Sequence, residues 1–384
     1  MKGSRLGPST TSVHGVPERR QEREPVVTPI HQSTTFVNAI GSDREVVYTR
    51  YGNNPNQLTL ARKYALLEGA EDAVFLASGM GATAMAHLAV LRPGDHLVAS
   101  RWIYGGTARL FDQEFGRLGI DITYVNPTHP RSWRAAIRKT TRAIFLETPV
   151  NPTIRVFDLA PVARLAKESG VALLVDATFA SPINFRPLEH GADVVITSAT
   201  KYLNGHSDVI GGAVAGSRPV IEEVLRLMAC WGAPMDPHAA WLVERGLKTL
   251  AVRMERHNAN GLALATYLSR HPRVAAVSYP GLPDHPDHEI ASRTLAGFGG
   301  MLGVTLKGGA AAADRFLRRL RVFAHAPSLG GVESLVSDPR FTSQKGQSEE
   351  QLAEAGILPG FLRLSCGIED AEDLIADLEH GLGS

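Results

Sequence analysis

Ala172-Leu173-Leu174-Val175-Asp176 and Asp193-Val194-Val195-Ile196-Thr197 are short apolar runs, and Ser198-Ala199-Thr200-Lys201 follows the second. A strand apolar on both faces belongs to a parallel sheet layered between helices. The pattern repeats upstream. Strand-like Ala73–Ala77, Leu97–Ala99, Ile122–Val125 and Ala143–Leu146 alternate with helical Gln57–Glu68, Gly81–Val90, Thr107–Leu118 and Leu159–Ser169. Such alternation predicts an α/β fold with a mainly parallel sheet. Ligands of these sheets bind outside the C-terminal strand ends, where Glu147, Asp176 and Ser198 fall. Downstream, one long helical pattern spans Pro237–His271. Strand Met301–Leu306, helix Ala311–Arg319, strand Phe361–Ser365 and helix Ala371–Leu382 then read as a smaller α+β domain. The first 25 or so residues lack periodicity and read as an arm. The expected division is 1–56 (arm), 57–250 (large domain) and 251–384 (small domain).

The chain has 384 residues, 44% hydrophobic and 21% charged, with a formal charge of +1. That length fits more than one domain, and the near-neutral balance argues against a nucleic-acid partner. Cys230 and Cys366 are the only cysteines, so neither a disulfide framework nor a multi-cysteine metal site is expected. His285, Asp287 and His288 resemble a metal cluster but sit among prolines, where an exposed loop is expected. No membrane span or signal-like segment stands out, and the reading is cytoplasmic.

There are eight lysines, and Lys201 alone follows a buried strand and small hydroxyl residues. An amine there, a carboxylate at the end of the neighbouring strand (Asp176) and an anion cradle are what pyridoxal 5'-phosphate (PLP) requires. The carboxylate keeps the ring nitrogen protonated. Ser78-Gly79-Met80-Gly81 follows a strand and opens a helix, so its N–H groups suit a phosphate, with Ser198 and Thr200 adding hydroxyls. Gly79-Met80-Gly81-Ala82-Thr83-Ala84 also fits a loose dinucleotide fingerprint. The strand after it ends in Ser100-Arg101 rather than an acid, which leaves an NADP-dependent oxidoreductase as the distant alternative. Tyr104 follows a strand end and suits ring stacking. Arg363, a charge inside an apolar strand, needs a partner, either a substrate carboxylate or an internal ion pair.

These stretches resemble the Cys/Met-metabolism family of PLP enzymes, which includes cystathionine γ-lyase, cystathionine γ-synthase, cystathionine β-lyase and methionine γ-lyase. The resemblance runs from about Val26 to Leu382. Its most specific segments are Tyr48-Thr49-Arg50-Tyr51-Gly52-Asn53, Tyr104-Gly105-Gly106-Thr107, Glu147-Thr148-Pro149-Val150-Asn151-Pro152-Thr153, Asp176-Ala177-Thr178-Phe179, Ser198-Ala199-Thr200-Lys201-Tyr202, Ser328-Leu329-Gly330-Gly331-Val332-Glu333-Ser334 and Arg363-Leu364-Ser365. It implies a type I, aspartate-aminotransferase-like fold and a homotetramer of two catalytic dimers. By match, Lys201 is the Schiff-base lysine and proton shuttle, Asp176 the ring-nitrogen partner and Tyr104 the stacking ring. Asn151 neighbours the ring hydroxyl. Gly79, Met80, Ser198 and Thr200 form the phosphate cradle, with Thr178 in the same cofactor set. Tyr48 and Arg50 reach the phosphate of the neighbouring subunit. Arg363, with Ser328 and Leu329, matches the α-carboxylate site, and Glu333 the side-chain end of the substrate pocket.

The resemblance implies γ-elimination on a sulfur amino acid, with cystathionine γ-lyase first. Cystathionine γ-synthase, which replaces the γ-substituent of an O-acylhomoserine, is the alternative. Methionine γ-lyase comes third, because Gly106 stands where those enzymes usually carry cysteine. The chain departs from the family at Ala177, where asparagine is usual, at Asn53-Asn54-Pro55-Asn56, and at Ser343, where histidine is common.

Overall fold

The computed structural model describes residues 6–16, 21–41, 43 and 45–383. Twelve strands, named in chain order, form two sheets among these residues. The first sheet holds β1 (Asp72–Leu76), β2 (His96–Ser100), β3 (Asp121–Val125), β4 (Thr141–Glu147), β5 (Ala172–Asp176), β6 (Val194–Ser198) and β7 (Gly212–Gly216). Their order is β1-β7-β6-β5-β4-β2-β3, parallel except for β7, which runs antiparallel to both its neighbours. The second sheet holds β8 (Val274–Ser278), β9 (Met301–Leu306), β10 (Ala324–His325), β11 (Leu335–Ser337) and β12 (Phe361–Ser365), ordered β10-β11-β12-β9-β8. This is the α/β architecture expected, a mainly parallel sheet and a smaller α+β unit. We keep the three-part division at 56 and 250 as a proposal.

Apolar residues bury on both faces of the first sheet. On one face Val98, Ile144, Leu173, Val175 and Val195 pack with Leu60, Tyr64 and Val243 of flanking helices. On the other, Val74, Leu97, Phe145, Leu174 and Ile196 pack with Met85, Phe111 and Val224. A third cluster joins β9 and β12 to Leu264, Phe316 and Leu378.

Several elements differ from expectation. The arm carries a helix, Pro8–His14, which opens on a proline and packs on helix Pro55–Glu68, where Lys63 Nζ donates to the Val13 carbonyl at 3.1 Å. Arg19 and Arg20 of the arm lie outside the described residues. The run at 107–118 becomes helix Gly105–Leu110, a π turn at Phe111–Phe115 and a 3₁₀ turn at Gly116–Leu118. The long helix is two, Pro237–Leu247 and Leu250–Ser269. Arg253, 3% exposed, causes the break by collecting carbonyls, with bonds to Gly246 at 3.0 Å and Tyr202 at 2.8 Å. Asp287 and His285 are buried rather than exposed, because Asp287 receives the Arg155 guanidinium through Nε at 2.5 Å and a terminal nitrogen at 2.9 Å. Among the described residues no group of acidic, His or Cys side chains is placed to hold a metal. In the departing stretch Asn53-Asn54-Pro55-Asn56, Asn54 is the N-cap of helix Pro55–Glu68 and closes a capping box with Gln57.

Candidate active site

The C-terminal ends of β4, β5 and β6 open into a cavity of about 490 Å³, lined also by residues of the second sheet and its loops. Parallel pairing puts the Cα of Glu147 opposite that of Asp176. Asp176 Oδ1 accepts the Thr178 N–H at 2.9 Å, and the Thr178 hydroxyl accepts the Ser198 N–H at 2.9 Å. One turn therefore fixes the ends of both strands. Burial holds the Asp176 carboxyl above its ordinary range, a cost that a cation placed beside it would offset.

Lys201 follows β6 in a turn where the Gly205 N–H donates to its carbonyl at 2.8 Å. Its Nζ donates to the Ser328 hydroxyl at 2.8 Å. Burial first, then the charge of Arg363, lowers this amine to about 8. Ser328 sits at φ +100°, a left-handed conformation that a serine adopts at a cost. Its carbonyl accepts from Arg363 at 2.7 Å. Arg363, 4% exposed on β12, also donates to Asn151 Oδ1 at 3.0 Å, and its Nε has no partner among the described residues. Burial pulls the guanidinium down to about 10. A buried cation with only neutral acceptors and an unused donor is suited to an incoming carboxylate.

Helix Gly79–Val90 begins at the cavity wall, where Ser78 Oγ accepts the Gly81 N–H at 3.0 Å. A Cβ on Gly79 would lie 2.9 Å from Ser198 Oγ, so the glycine lets the helix start approach the end of β6. Met80, Tyr104, Asn151, Thr178 and Leu329 line the same cavity.

The structure thus brings together Gly79, Met80, Tyr104, Asn151, Asp176, Thr178, Ser198, Lys201, Ser328, Leu329 and Arg363. It does not place four other expected residues at that wall. The Thr200 hydroxyl is engaged with Gly211, accepting its N–H at 3.0 Å. Glu333 is exposed and accepts from Ser207 Oγ at 3.0 Å. Arg50 donates to the Ala229 carbonyl at 2.8 Å and lies near the rings of Tyr48 and Tyr51, away from its own cavity. Tyr48 likewise lies outside the lining. Glu147, seen in the sequence only as a strand end, is a buried cavity residue that sequence reasoning did not assign.

The Cys/Met metabolism PLP-dependent enzyme family matches residues 9–383. The chain belongs to this family. It is 43% identical over 380 residues to cystathionine γ-synthase of Mycobacterium tuberculosis, covering 98% of this chain and 97% of the relative. It is 41% identical over 371 residues to L-methionine γ-lyase of Porphyromonas gingivalis, covering 94% and 93%. The crystal structure of cystathionine γ-synthase from Xanthomonas oryzae pv. oryzae, in complex with aminoacrylate and cysteine, superimposes with a TM-score of 0.94 at 40% identity, covering 99% of this chain and 98% of that one. The family is PLP-dependent, and the residues around the cavity fit PLP: an amine, a half-buried carboxylate, and a helix start held close to Ser198. The dinucleotide alternative falls on topology as well. A dinucleotide fold needs β1 and β2 as parallel neighbours, but β1 lies at the sheet edge beside antiparallel β7.

Proposed function

We propose that this PLP-dependent enzyme releases the γ-substituent of a sulfur-linked or acylated α-amino acid. Cleavage of cystathionine to cysteine, 2-oxobutyrate and ammonia is the first reading. The observation that carries it is the entry of Lys201 and Arg363 into one cavity, neither with a carboxylate partner among the described residues. Arg363 takes the substrate carboxylate by its fork and orients the Cα–H bond toward Lys201. PLP, when bound, supplies an electron sink conjugated with the substrate amine. Asp176 offers the negative charge that keeps that sink protonated. Lys201, lowered to about 8, is an effective base near neutral pH and takes the Cα proton. It then holds a proton to give to the departing group. Ser328 accepts a hydrogen bond from the amine and fixes its direction.

The same residues serve γ-replacement on an O-acylhomoserine, and likeness to the Mycobacterium tuberculosis γ-synthase supports that second reading equally. Methionine γ-elimination stands third. Gly106 lies against the Tyr104 ring, and a Cβ there would come within 2.3 Å of ring carbon Cε1. Tyr48 and Arg50 belong, in this reading, to the cavity of a second copy within a homotetramer. Among the described residues no helix is long and apolar enough to cross a membrane; a cytoplasmic location is part of the proposal.

Product analysis decides between the readings. Release of 2-oxobutyrate and cysteine from cystathionine supports the lyase. Formation of cystathionine from cysteine and an O-acylhomoserine supports the synthase. PLP-loaded protein that does neither overturns both.

A further inference from the structure

Glu147 ends β4 and is 4% exposed. It makes no ion pair among the described residues. Its Oε2 accepts the Tyr104 N–H at 2.7 Å and its Oε1 the Asn151 N–H at 2.7 Å. Tyr104 precedes helix Gly105–Leu110 on the loop after β2, and Asn151 lies on the loop after β4. Two separate loops are therefore fastened to one side chain. The fastening extends further, because Asn151 Oδ1 accepts from Arg363 at 3.0 Å. The β4–β5 register sets the whole assembly beside Asp176.

We propose that Glu147 is the positioning residue of the cofactor site, holding Tyr104 and Asn151 in place beside Asp176 and, through Asn151, holding Arg363. The proposal rests on the PLP site described above. A neutral side chain of the same size would bury more cheaply. Burial, and then the charge of Asp176, push the Glu147 carboxyl well above its ordinary range, while the N–H groups of Asn151 and Tyr104 pull it back toward the ionised form; a stability-driven core would avoid two carboxyls on adjacent strand ends. A carboxylate gives each of the two N–H groups a charged oxygen of its own. Glutamine has one acceptor oxygen, and its NH₂ would face a backbone donor.

The test uses holoenzyme carrying Glu147→Gln, with Glu147→Asp as the second variant, which keeps the charge and shortens the reach. PLP dissociation constants are measured by titrating the stripped protein. The induced circular dichroism of bound PLP, the far-UV spectrum and substrate KM are recorded alongside. E147Q is expected to weaken PLP binding about tenfold, the loss of one charge-assisted hydrogen bond. It should also change the induced dichroism without changing the far-UV spectrum, and raise KM because Asn151 carries Arg363. E147D is expected to fall between E147Q and wild type, and it decides the matter should E147Q not fold. Wild-type PLP affinity together with wild-type induced dichroism in a folded variant overturns the proposal. Failure of the wild-type chain to take up PLP is a different outcome, and it would overturn the site itself.

Discussion

At the residue scale, the ionisable groups withdrawn wholly or partly from water divide by whether a bound ligand gives them a partner. Asp176, Lys201 and Arg363 face the cavity and have one in prospect. Glu68 does not. It ends helix Pro55–Glu68 with 0% exposure, accepts the Tyr64 hydroxyl at 2.9 Å on Oε1, and leaves Oε2 without a partner among the described residues. Burial raises its carboxyl to about 8. Between the unfolded value of 4.5 and about 8 the folded chain holds a proton that the unfolded chain has lost, so stability falls as pH rises through that window. Glu68→Gln keeps the acceptor for Tyr64 and removes the titration. The variant should be more stable than wild type at pH 8, with the gain shrinking toward pH 4.5; urea midpoints at the two pH values measure it, and a pH-independent difference would refute the account. Residues of this kind also mark what sequence shows and hides. Lys201 and Asp176 were legible because each follows or ends an apolar strand. Glu147 occupies a similar strand end, but its importance lies in N–H groups of Tyr104 and Asn151 that only the folded loops bring to it. Asp287 was misread for the same reason, since its partner Arg155 is remote in the chain.

At the scale of elements, the turn carrying Lys201 depends on a helix that the sequence pattern did not separate. Gly246, on helix Pro237–Leu247, lies against the Asn204 backbone, and a Cβ there would come within 2.2 Å of the Asn204 carbonyl oxygen. Arg253 then ties the Gly246 and Tyr202 carbonyls together. Gly246→Ala must push the helix away from the Lys201–Gly205 turn. It is expected to lower stability by about 1–3 kcal/mol, the usual range for overpacking, and to speed PLP loss on dialysis. Wild-type values for both the denaturation midpoint and PLP retention would show that the contact is slack. The apolar strands and most helices of the first sheet could be read from periodicity because their faces are set by burial. The break at Lys248-Thr249 could not, because neither residue interrupts a helix and the cause is the buried Arg253. Strand β7, Gly-Ala-Val-Ala-Gly, also escaped reading. Its residues are small because a Cβ on Gly212 would meet the Ser78 carbonyl oxygen at 2.3 Å, and small residues carry little strand signal.

At the scale of the whole molecule, the single chain exposes an apolar arm and withholds two expected residues from its own cavity. Val26 is 75% exposed, and Val37 and Ile40 are fully exposed. In the proposed homotetramer a second copy lies over these residues. Tyr48 and Arg50 follow this stretch, and Thr35 and Tyr48 bridge it into a short antiparallel pairing. In the proposed assembly the arm carries Arg50 to the phosphate of the neighbouring cavity, so that each active site takes Lys201 from one copy and Arg50 from the other. Arg50→Ala should then weaken PLP retention, and Lys201→Ala should abolish turnover, yet at limiting PLP the two impaired proteins should complement each other. After unfolding and joint refolding, half of the randomly formed pairs are mixed. Each mixed pair has one site with both native residues and one with neither, so about a quarter of wild-type activity should return under two-fold pairing. If Arg50 served its own copy's cavity, mixing would restore nothing beyond the sum of the two variants, because every Lys201-bearing cavity would still lack its arginine.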